Sequence, residues 1–388
     1  MNILFLPSWY ESDSEKNAGV FFTEQALALK KLGNNVTIAI VDILNYPYKS
    51  DKPKFKVFKE ERHGLDVYRI IVPSYMTGHL PSVFFAYYAK YYRKLMKYML
   101  DQGLSFDVMY AHSFWHAGYI ATLLKKEFNL PLVVQEHRSM LITGEFSNKV
   151  NKYLKATVVN SDAFYCVSNK LRDNVYSRTG LSKGIEILPN MVDDLFQYKT
   201  LNNDKFTYTF IGTLNENKRI IQLLNCFEKV CESNNNVVLK IAGDGPQLDQ
   251  VNEIINGSEV LKKAVSVLGL LPREKVLDLL SETNVLVLPS AFETFGVVCI
   301  EAMAVGRPVI CTRNGSADFV DDSNGILIDV DSDDQLIDAM RRIYQDYSKY
   351  NQHLISEICV KTYSSTSVMS AVISEMNLLK SNAIADKE

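Results

Sequence analysis

"VLVLPSAFETFGVVCIEAMA", residues 285–304, reads as one strand, one loop and one helix. The run VLVLPS (285–290) is short and almost wholly apolar, the pattern of a strand buried on both faces. AFETF follows as the loop at its carboxyl end, and Gly296 opens a helix running through Glu301 to about Ala304. On that geometry Glu293 stands in the loop and Glu301 about a turn and a half into the helix, so they do not share a helix face. The amides of Phe295, Gly296, Val297 and Val298 fall where helical donors lack partners and the helix dipole is positive. Such a terminus binds anions, and glycine at 296 lets an anion approach the backbone closely. Carboxylates on both sides would accept from hydroxyls, as a nucleotide sugar needs with its diphosphate in the middle, ribose to one side and hexose to the other. The plain alternative is a solvated loop glutamate and an ordinary helix glutamate.

The same rhythm extends outward from this unit. TYTFIG (207–212), NVVLKIAGDG (236–245), VSVLGL (265–270), PVICT (308–312) and GILI (325–328) read as strands. Helices are expected up to about 233, over 273–281 and near 333–347 and 365–380. An earlier set comprises NILFLP (2–7), NVTIAIV (35–41), FDVMYAH (106–112), LPLVVQEH (130–137), AFYCVS (163–168) and GIEILPN (184–190). Its helices are FTEQALALKKL (22–32), stopped by Gly33, and one near 115–127. Strand, helix, strand in sequence implies right-handed parallel crossovers. Between the two sets, MVDDLFQYKTLNNDK (191–205) is polar without an apolar period and reads as a linker. The expectation is an α/β protein with two Rossmann-like doubly wound parallel-sheet domains, 1–192 and 193–364, facing a cleft. Residues 365–388 would form a helix crossing back to the first domain. Ligands of such sheets lie beyond the carboxyl ends of the strands.

Composition narrows the classes. With 47% hydrophobic and 22% charged residues the chain is a soluble globular protein rather than a disordered one. Six scattered cysteines without a C-x-x-C pair argue for reduced thiols in the cytoplasm, against a disulfide framework or zinc site. The opening MNILFLPSWYESD has no basic head and reads as a strand rather than a secretory signal. No apolar stretch approaches the ~20 residues that span a bilayer. The net charge of −3 hides an excess of seven positive charges in 1–190 and of ten negative charges in 191–388. Much of the positive excess lies in 51–100, where 10 basic residues face 4 acidic ones. There PSVFFAYYAKYYRKLMKYML (81–100) mixes aromatics with Lys90, Arg93, Lys94 and Lys97. It reads either as a contact with an anionic membrane or as a core-facing helix with a basic outer side. The acidic runs VDD (192–194) and DVDSDD (329–334) lack the glycine and final glutamate of a calcium loop and read as structural. No metal or other cofactor is expected, nor a nucleic-acid partner. The absence of G-x-G-x-x-G after the first strand argues against a nicotinamide dehydrogenase.

The stretch PSAFETFGVVCIEAMAVGRPVICT (289–312) resembles the signature of the retaining glycosyltransferases of the large family four, group 1, which have the GT-B fold; their E-x(7)-E motif matches Glu293 and Glu301. Further matches follow in order: LPSWYESDSEKNAGVFFTEQALAL (6–29) with the family's first strand and glycine loop, LPNMVDDLF (188–196), FIGTLNENKRI (210–220), IAGDGPQ (241–247) and LGLLPREKVLDLLSETNVLVLPS (268–290). The resemblance implies that Glu301 binds ribose hydroxyls and that Glu293 contacts the donor sugar. It makes Lys218 the clamp on the diphosphate and His137 the residue held near the anomeric carbon. It also assigns donor contacts to Gly212, Arg219, Leu270, Thr294, Phe295, Gly296, Val297 and Val298, and the acceptor-side loop to Ala18 and Gly19. An ammonium at Lys218 can neutralise charge building on the leaving oxygens in place of a metal. His112 is ranked behind His137, as structural or acceptor-side.

Three departures stand out. Thr213 occupies the place of an arginine, so one phosphate contact is missing or comes from Arg219. RNGSADF (313–319) replaces a glycine-rich turn, and Met191 replaces a linker glycine. The implied activity is retaining transfer from a nucleotide sugar, UDP-linked, to a hydroxyl of a glycan or lipid-linked acceptor. Bacterial surface glycan assembly is the implied setting, in the cytoplasm or peripheral on the inner face of the cell membrane. The alternatives are a non-catalytic GT-B partner subunit, or a sugar-nucleotide epimerase or phosphorylase on the same architecture.

Overall fold

A computed structural model describes residues 1–12, 18–44, 54–73, 80–144 and 146–385. The middle of the stretch that resembles the glycine loop, 13–17, lies outside them. The chain forms two compact units, Met1–Pro189 with Ser365–Glu388, and Asn190–Ser364.

In the first unit, eight strands among the described residues form one sheet. They are β1 (Asn2–Leu6), β2 (Asn35–Leu44), β3 (Val57–Arg62), β4 (Leu65–Pro73), β5 (Val108–His112), β6 (Leu132–Glu136), β7 (Ala163–Cys166) and β8 (Glu186–Ile187). Their order is β3-β4-β2-β1-β5-β6-β7-β8. Neighbours are parallel except for β3, which runs antiparallel to β4 at the edge. In the second unit β9 (Phe206–Ile211), β10 (Val237–Ala242), β11 (Val265–Gly269), β12 (Val285–Leu288), β13 (Val309–Thr312) and β14 (Gly325–Ile328) form an all-parallel sheet. Its order is β11-β10-β9-β12-β13-β14. The order of the parallel strands reverses at β1/β5 in the first sheet and at β9/β12 in the second, and loops after such strands are where open sheets bind ligands. Strands β1, β5, β6 and β12 are buried along nearly their whole length, as their unbroken apolar runs require.

The structure adds elements that the pattern did not announce. The β3–β4 hairpin turns at His63 (φ 51°) and Gly64 (φ 74°), the left-handed pair of a tight two-residue connection. Helices Asn151–Asn160, Asn169–Thr179 and Gln352–Tyr363 are further additions. The helix expected near 115 begins only at Tyr119, because Phe114–Gly118 is a wide turn with His116 at φ 75°. The segment read as a linker is anchored in the second unit: Phe196 is buried, and Val192 N donates to Tyr363 O at 2.8 Å. Its three apolar anchors, Met191, Val192 and Phe196, are too few to show a period.

Helix Pro81–Asp101 turns Phe84, Phe85, Tyr88 and Tyr92 inward and leaves Lys90, Lys94 and Lys97 exposed. The C-terminal helix Ser365–Ala385 packs against helix Val20–Lys31, and Lys380 Nζ lies 3.1 Å from Asp107. All six cysteines are free and buried. Among the described residues no helix is long and apolar enough to cross a membrane.

Candidate active site

In the second unit the expected donor residues gather on the loops after β9 and β12. After β9 the chain makes a one-turn helix, Glu216–Lys218, capped by Asn215, whose side chain accepts from Lys218 N. Asn217 then ties this loop to the one after β12. Its carbonyl accepts from Ala291 N (2.7 Å), and its side chain both donates to Phe292 O and accepts from Phe292 N (3.2 Å each). That brace brings Lys218 Nζ within 2.5 Å of Glu293 Oε1, with both side chains partly exposed. The Lys218 stem passes close to Gly212, where a Cβ would meet Cε at 3.7 Å.

Beyond Glu293, Gly296 adopts φ 90° and caps helix Val297–Ala304. Among the described residues the amides of Phe295, Gly296, Val297 and Val298 have no hydrogen-bond acceptor. They form a row of donors at the positive end of the helix. The turn at 313–319 supports this terminus from below. A Cβ at Gly315 would sit 2.4 Å from Thr294 C and O, and Ser316 Oγ donates to Phe295 O at 3.2 Å. Gly315 therefore allows two backbones to pack, and no larger residue fits.

Glu301 is buried and pairs with Arg273, whose guanidinium also stacks on the Phe196 ring at 4.9 Å. Burial raises the Glu301 carboxyl above its usual range; Arg273 opposes that rise and Asp193 adds to it. Glu293 and Glu301 thus keep different company on either side of the helix terminus. The sequence reading missed Arg273. It had a signal: a cation in the first turn of its own helix, Arg273–Ser281, opposes the dipole and calls for an outside anion.

Two expected donor contacts stand differently. Arg219 directs its guanidinium to Asp331 (2.7 and 3.0 Å), so its charge is already matched. Leu270 is exposed on the loop after β11, supported by Gly243 N donating to Gly269 O at 2.8 Å. Of the acidic runs, Asp193 caps its own turn by accepting from Leu195 N, and Asp333 and Asp334 open helix Asp333–Gln345. Among the described residues no three His, Cys, Asp or Glu side chains are grouped to hold a metal ion.

In the first unit His137 follows β6 and His112 ends β5. His112 Nδ1 and His137 Nε2 are 3.1 Å apart. Burial and the neighbouring His137 hold the His112 imidazole well below its ordinary pKa, so it is neutral. Phe5, Phe22 and Tyr110 surround it. Phe21 and Phe22, from the first turn of helix Val20–Lys31, pack on His137 at 5.2 and 5.7 Å between ring centres. Gly19 caps that helix at φ 70°, next to Ala18.

A second missed feature holds His137 in place. The buried Glu136 carboxylate accepts from the amides of Phe114 (2.7 Å), His137 (2.9 Å) and Arg138 (2.8 Å). Arg138 lies over the Trp9 ring at 4.6 Å and meets His116 Nδ1 at 3.2 Å. Burial and that guanidinium push the His116 imidazole down to about 3. Arg138 therefore faces a neutral imidazole.

The fold and these sites place the protein among known chains. The family model "Glycosyl transferases group 1" matches residues 192–357, and "Glycosyltransferase Family 4" matches 18–194. Sucrose-phosphate synthase from Thermosynechococcus elongatus superposes with a TM-score of 0.74 at 17% identity, over 98% of this chain and 100% of that one. Anabaena HepE in complex with UDP gives 0.70 at 15% identity, over 97% and 100%. Both structures show the fold, a GT-B pair of parallel-sheet units. The chain belongs to the group 1, family four glycosyltransferases.

Among curated relatives, the GPI3 subunit of phosphatidylinositol N-acetylglucosaminyltransferase from Saccharomyces cerevisiae is 32% identical over 215 residues, 53% of this chain and 47% of its own length. The chain spans about half the length of that relative. A Bacillus subtilis protein, provisionally named as the teichuronic acid biosynthesis glycosyltransferase TuaC, is 27% identical over 81% of this chain and 82% of its own.

Proposed function

We propose that this protein transfers a sugar from a UDP-linked donor, with retention of configuration, to a hydroxyl of a glycan or lipid-linked acceptor in bacterial surface glycan assembly. The observation that carries the reading is the helix terminus at Gly296, with four amides open to an anion and the Lys218–Glu293 pair beside it. Anabaena HepE structures hold UDP and UDP-glucose, and TuaC is named for teichuronic acid biosynthesis in Bacillus subtilis, which supports the donor and the setting.

In this reading the diphosphate rests on the amides of 295–298 and Lys218 turns from Glu293 toward it. The C1–O bond to the diphosphate breaks while the acceptor oxygen bonds C1 from the same face, giving up its proton to the departing phosphate oxygen. Charge gathers on that oxygen, where an ammonium and helix amides stabilise it, with no metal needed. Glu301 takes ribose hydroxyls and Glu293 the donor sugar.

Incubation with a panel of UDP-sugars, followed by product analysis, tests the proposal. UDP should raise the melting temperature by mass action, and one sugar should appear on the acceptor with its anomeric configuration unchanged. Inverted product, an epimerised nucleotide sugar, or no stabilisation by UDP would each sink it.

Peripheral contact with an anionic membrane is a second part of the proposal. A groove of 680 Å³ on helix Pro81–Asp101 and the start of β3 is lined by Lys56, Lys90, Arg93, Lys94 and Lys97 against Asp101. The exposed Leu80 and Val83 precede it. Co-sedimentation with vesicles should appear with anionic lipid and vanish at high salt. Equal sedimentation with neutral lipid would refute it.

A further inference from the structure

Arg273 opens helix Arg273–Ser281, the end at which the dipole is positive and a cation is unfavourable. It stands there with its guanidinium on the Glu301 carboxylate and its flat face on the Phe196 ring. That ring is a fixed platform. Phe196 is buried, its amide donates to Asp193 O at 2.9 Å, and Asp193 Oδ1 accepts from Leu195 N at 2.8 Å. The planar guanidinium is therefore held in one orientation, which a flexible ammonium could not match.

Glu301 is 4% exposed. Arg273 Nη1 donates to its Oε1. Among the described residues Oε2 accepts from no group, and it is not closed to solvent. A buried ion pair adds little stability over an apolar pair of the same shape, so stability alone does not explain this one. A need for an aimed acceptor does. Glu301 follows Val297 by four residues, so it shares that face of the helix, about 6 Å behind the open amide, and its side chain leans back toward it. This is the order of separation between a nucleotide's inner phosphate and its ribose hydroxyls.

Burial works against the charged form of Glu301, Arg273 opposes that effect and Asp193 adds to it. The other elements packed on the helix bring no charge. Helix Gln352–Tyr363 brings Cys359, whose thiol is pushed up to about 12 by burial and donates to Ile300 O at 3.3 Å. β13 brings the buried Cys311, and β12 is wholly aliphatic. Among the described residues Arg273 is thus the cation that keeps this carboxylate ionised.

We infer that Arg273 is a positioning residue that makes the nucleotide site selective for ribose: it fixes the Glu301 carboxylate by one oxygen and leaves the other to accept from the 2′- and 3′-hydroxyls, so that a 2′-deoxynucleotide is rejected. The inference rests on the glycosyltransferase reading and deepens it by assigning a residue that sets which nucleotide sugar the site takes.

The test is calorimetric titration of the full chain with UDP and 2′-deoxy-UDP at about pH 8 and about pH 6. Both ligands carry the same base and diphosphate, so their own ionisation cancels in the ratio of affinities. The parent should prefer UDP by about tenfold or more at both pH values. Arg273→Gln should bring the ratio close to one at the lower pH and keep part of it at the higher, because without the guanidinium the buried carboxyl takes up a proton as pH falls. Arg273→Lys keeps a cation and should return the ratio toward the parent's, without pH dependence. Glu301→Gln should lose the preference equally at both pH values. A merely structural Arg273 would weaken both ligands alike and leave the ratio untouched. Carbon-13 NMR of the parent's glutamate carboxyls guards against a variant that fails to fold: the Glu301 signal should shift with UDP and less with 2′-deoxy-UDP. Equal affinities in the parent, a parental ratio in Arg273→Gln at the lower pH, or a Glu301 signal that UDP does not move would overturn the inference. Absence of any UDP binding by the parent would overturn the proposed function and this inference with it.

Discussion

Lys218 and Glu293 are separated by 75 residues in sequence and by 2.5 Å in space. The pair closes the gap between the loops after β9 and β12, the two strands at which the sheet order reverses. In the free protein each charge neutralises the other, so neither side chain is buried as an unpaired ion. In the proposed reaction the donor's diphosphate would offer the ammonium a second anion, and Glu293 would then be free to accept from a sugar hydroxyl.

Lys218→Ala and Glu293→Gln should each lower the transfer turnover by about 10²–10³-fold, the usual cost of removing one group that stabilises developing charge. The pair is partly exposed, so stability should change by no more than about 1 kcal/mol. Steady-state kinetics beside thermal melting checks both halves; near-normal turnover in either variant would disprove the assignment.

Gly315→Ala should be costly for a backbone reason. The added Cβ would meet the Thr294 carbonyl carbon and oxygen at 2.4 Å, and backbone cannot swing aside as a flexible side chain does. We expect a loss of about 1–3 kcal/mol, as for overpacking elsewhere, and weaker UDP binding because Thr294 leads into the helix terminus. Urea denaturation and calorimetric titration with UDP measure the two. Unchanged UDP affinity would show that the 313–319 turn does not support the terminus.

Arg273→Met strands the Glu301 carboxylate. Breaking a buried pair costs about 3–5 kcal/mol, and since Arg273 is about one-third exposed a loss near the lower end is expected. Adding Glu301→Gln should restore much of it, so the double variant should be more stable than Arg273→Met alone. A double-mutant cycle with no coupling would refute the pairing.

Arg307 is fully buried and donates to Leu280 O (3.0 Å), Ser281 O (3.2 Å), Lys199 O (2.6 Å) and Gln352 Oε1 (2.7 Å). It fastens the segment after Phe196 to two helices of the second unit. Arg307→Met should destabilise by about 3–5 kcal/mol, because four acceptors lose their donor. Limited proteolysis should cut near Lys199 in the variant; resistance equal to that of the parent would contradict this.

The pH dependence follows from His112 and His116. Both have folded pKa values below the ordinary 6.5, so the unfolded chain takes up protons first as pH falls. Stability is therefore full above about 6.5 and drops below it by up to ~1.4 kcal/mol per pH unit for each ring. Glu136 and Glu301 act oppositely: their raised carboxyl pKa values add stability as pH falls through them, nearer 4.5. Urea midpoints should fall between pH 7 and 5.5 and then flatten. A level profile over that window would mean that the two rings are solvated.

Much of this arrangement was legible in the sequence because parallel strands buried on both faces have no choice but to be apolar throughout. β5, β6, β12 and the helix after Gly296 stand where their patterns put them. The β3–β4 hairpin escaped because VFKEER, half exposed at a sheet edge, mixes charge with few apolar residues, and its turn is His-Gly rather than Asn-Gly. Glu293 was nominated by the strand–loop–helix reading and Lys218 by resemblance, and their pairing went unread, since no periodicity joins residues so far apart. Arg307 and Glu136 went unread because their partners are backbone groups and one distant amide, which leave no local pattern; Arg273 left only the weak signal of a cation opening its helix.

The second unit is an insertion in the first, entered after Pro189 and left before Ser365. During synthesis residues 190–364 can finish folding as a continuous stretch, while the first unit waits for its last helix to clear the ribosome. Until then the flank of helix Val20–Lys31 that receives Ser365–Ala385 stays bare. A premature stop anywhere near the carboxyl end would therefore injure the amino-terminal lobe, the part of the protein made first.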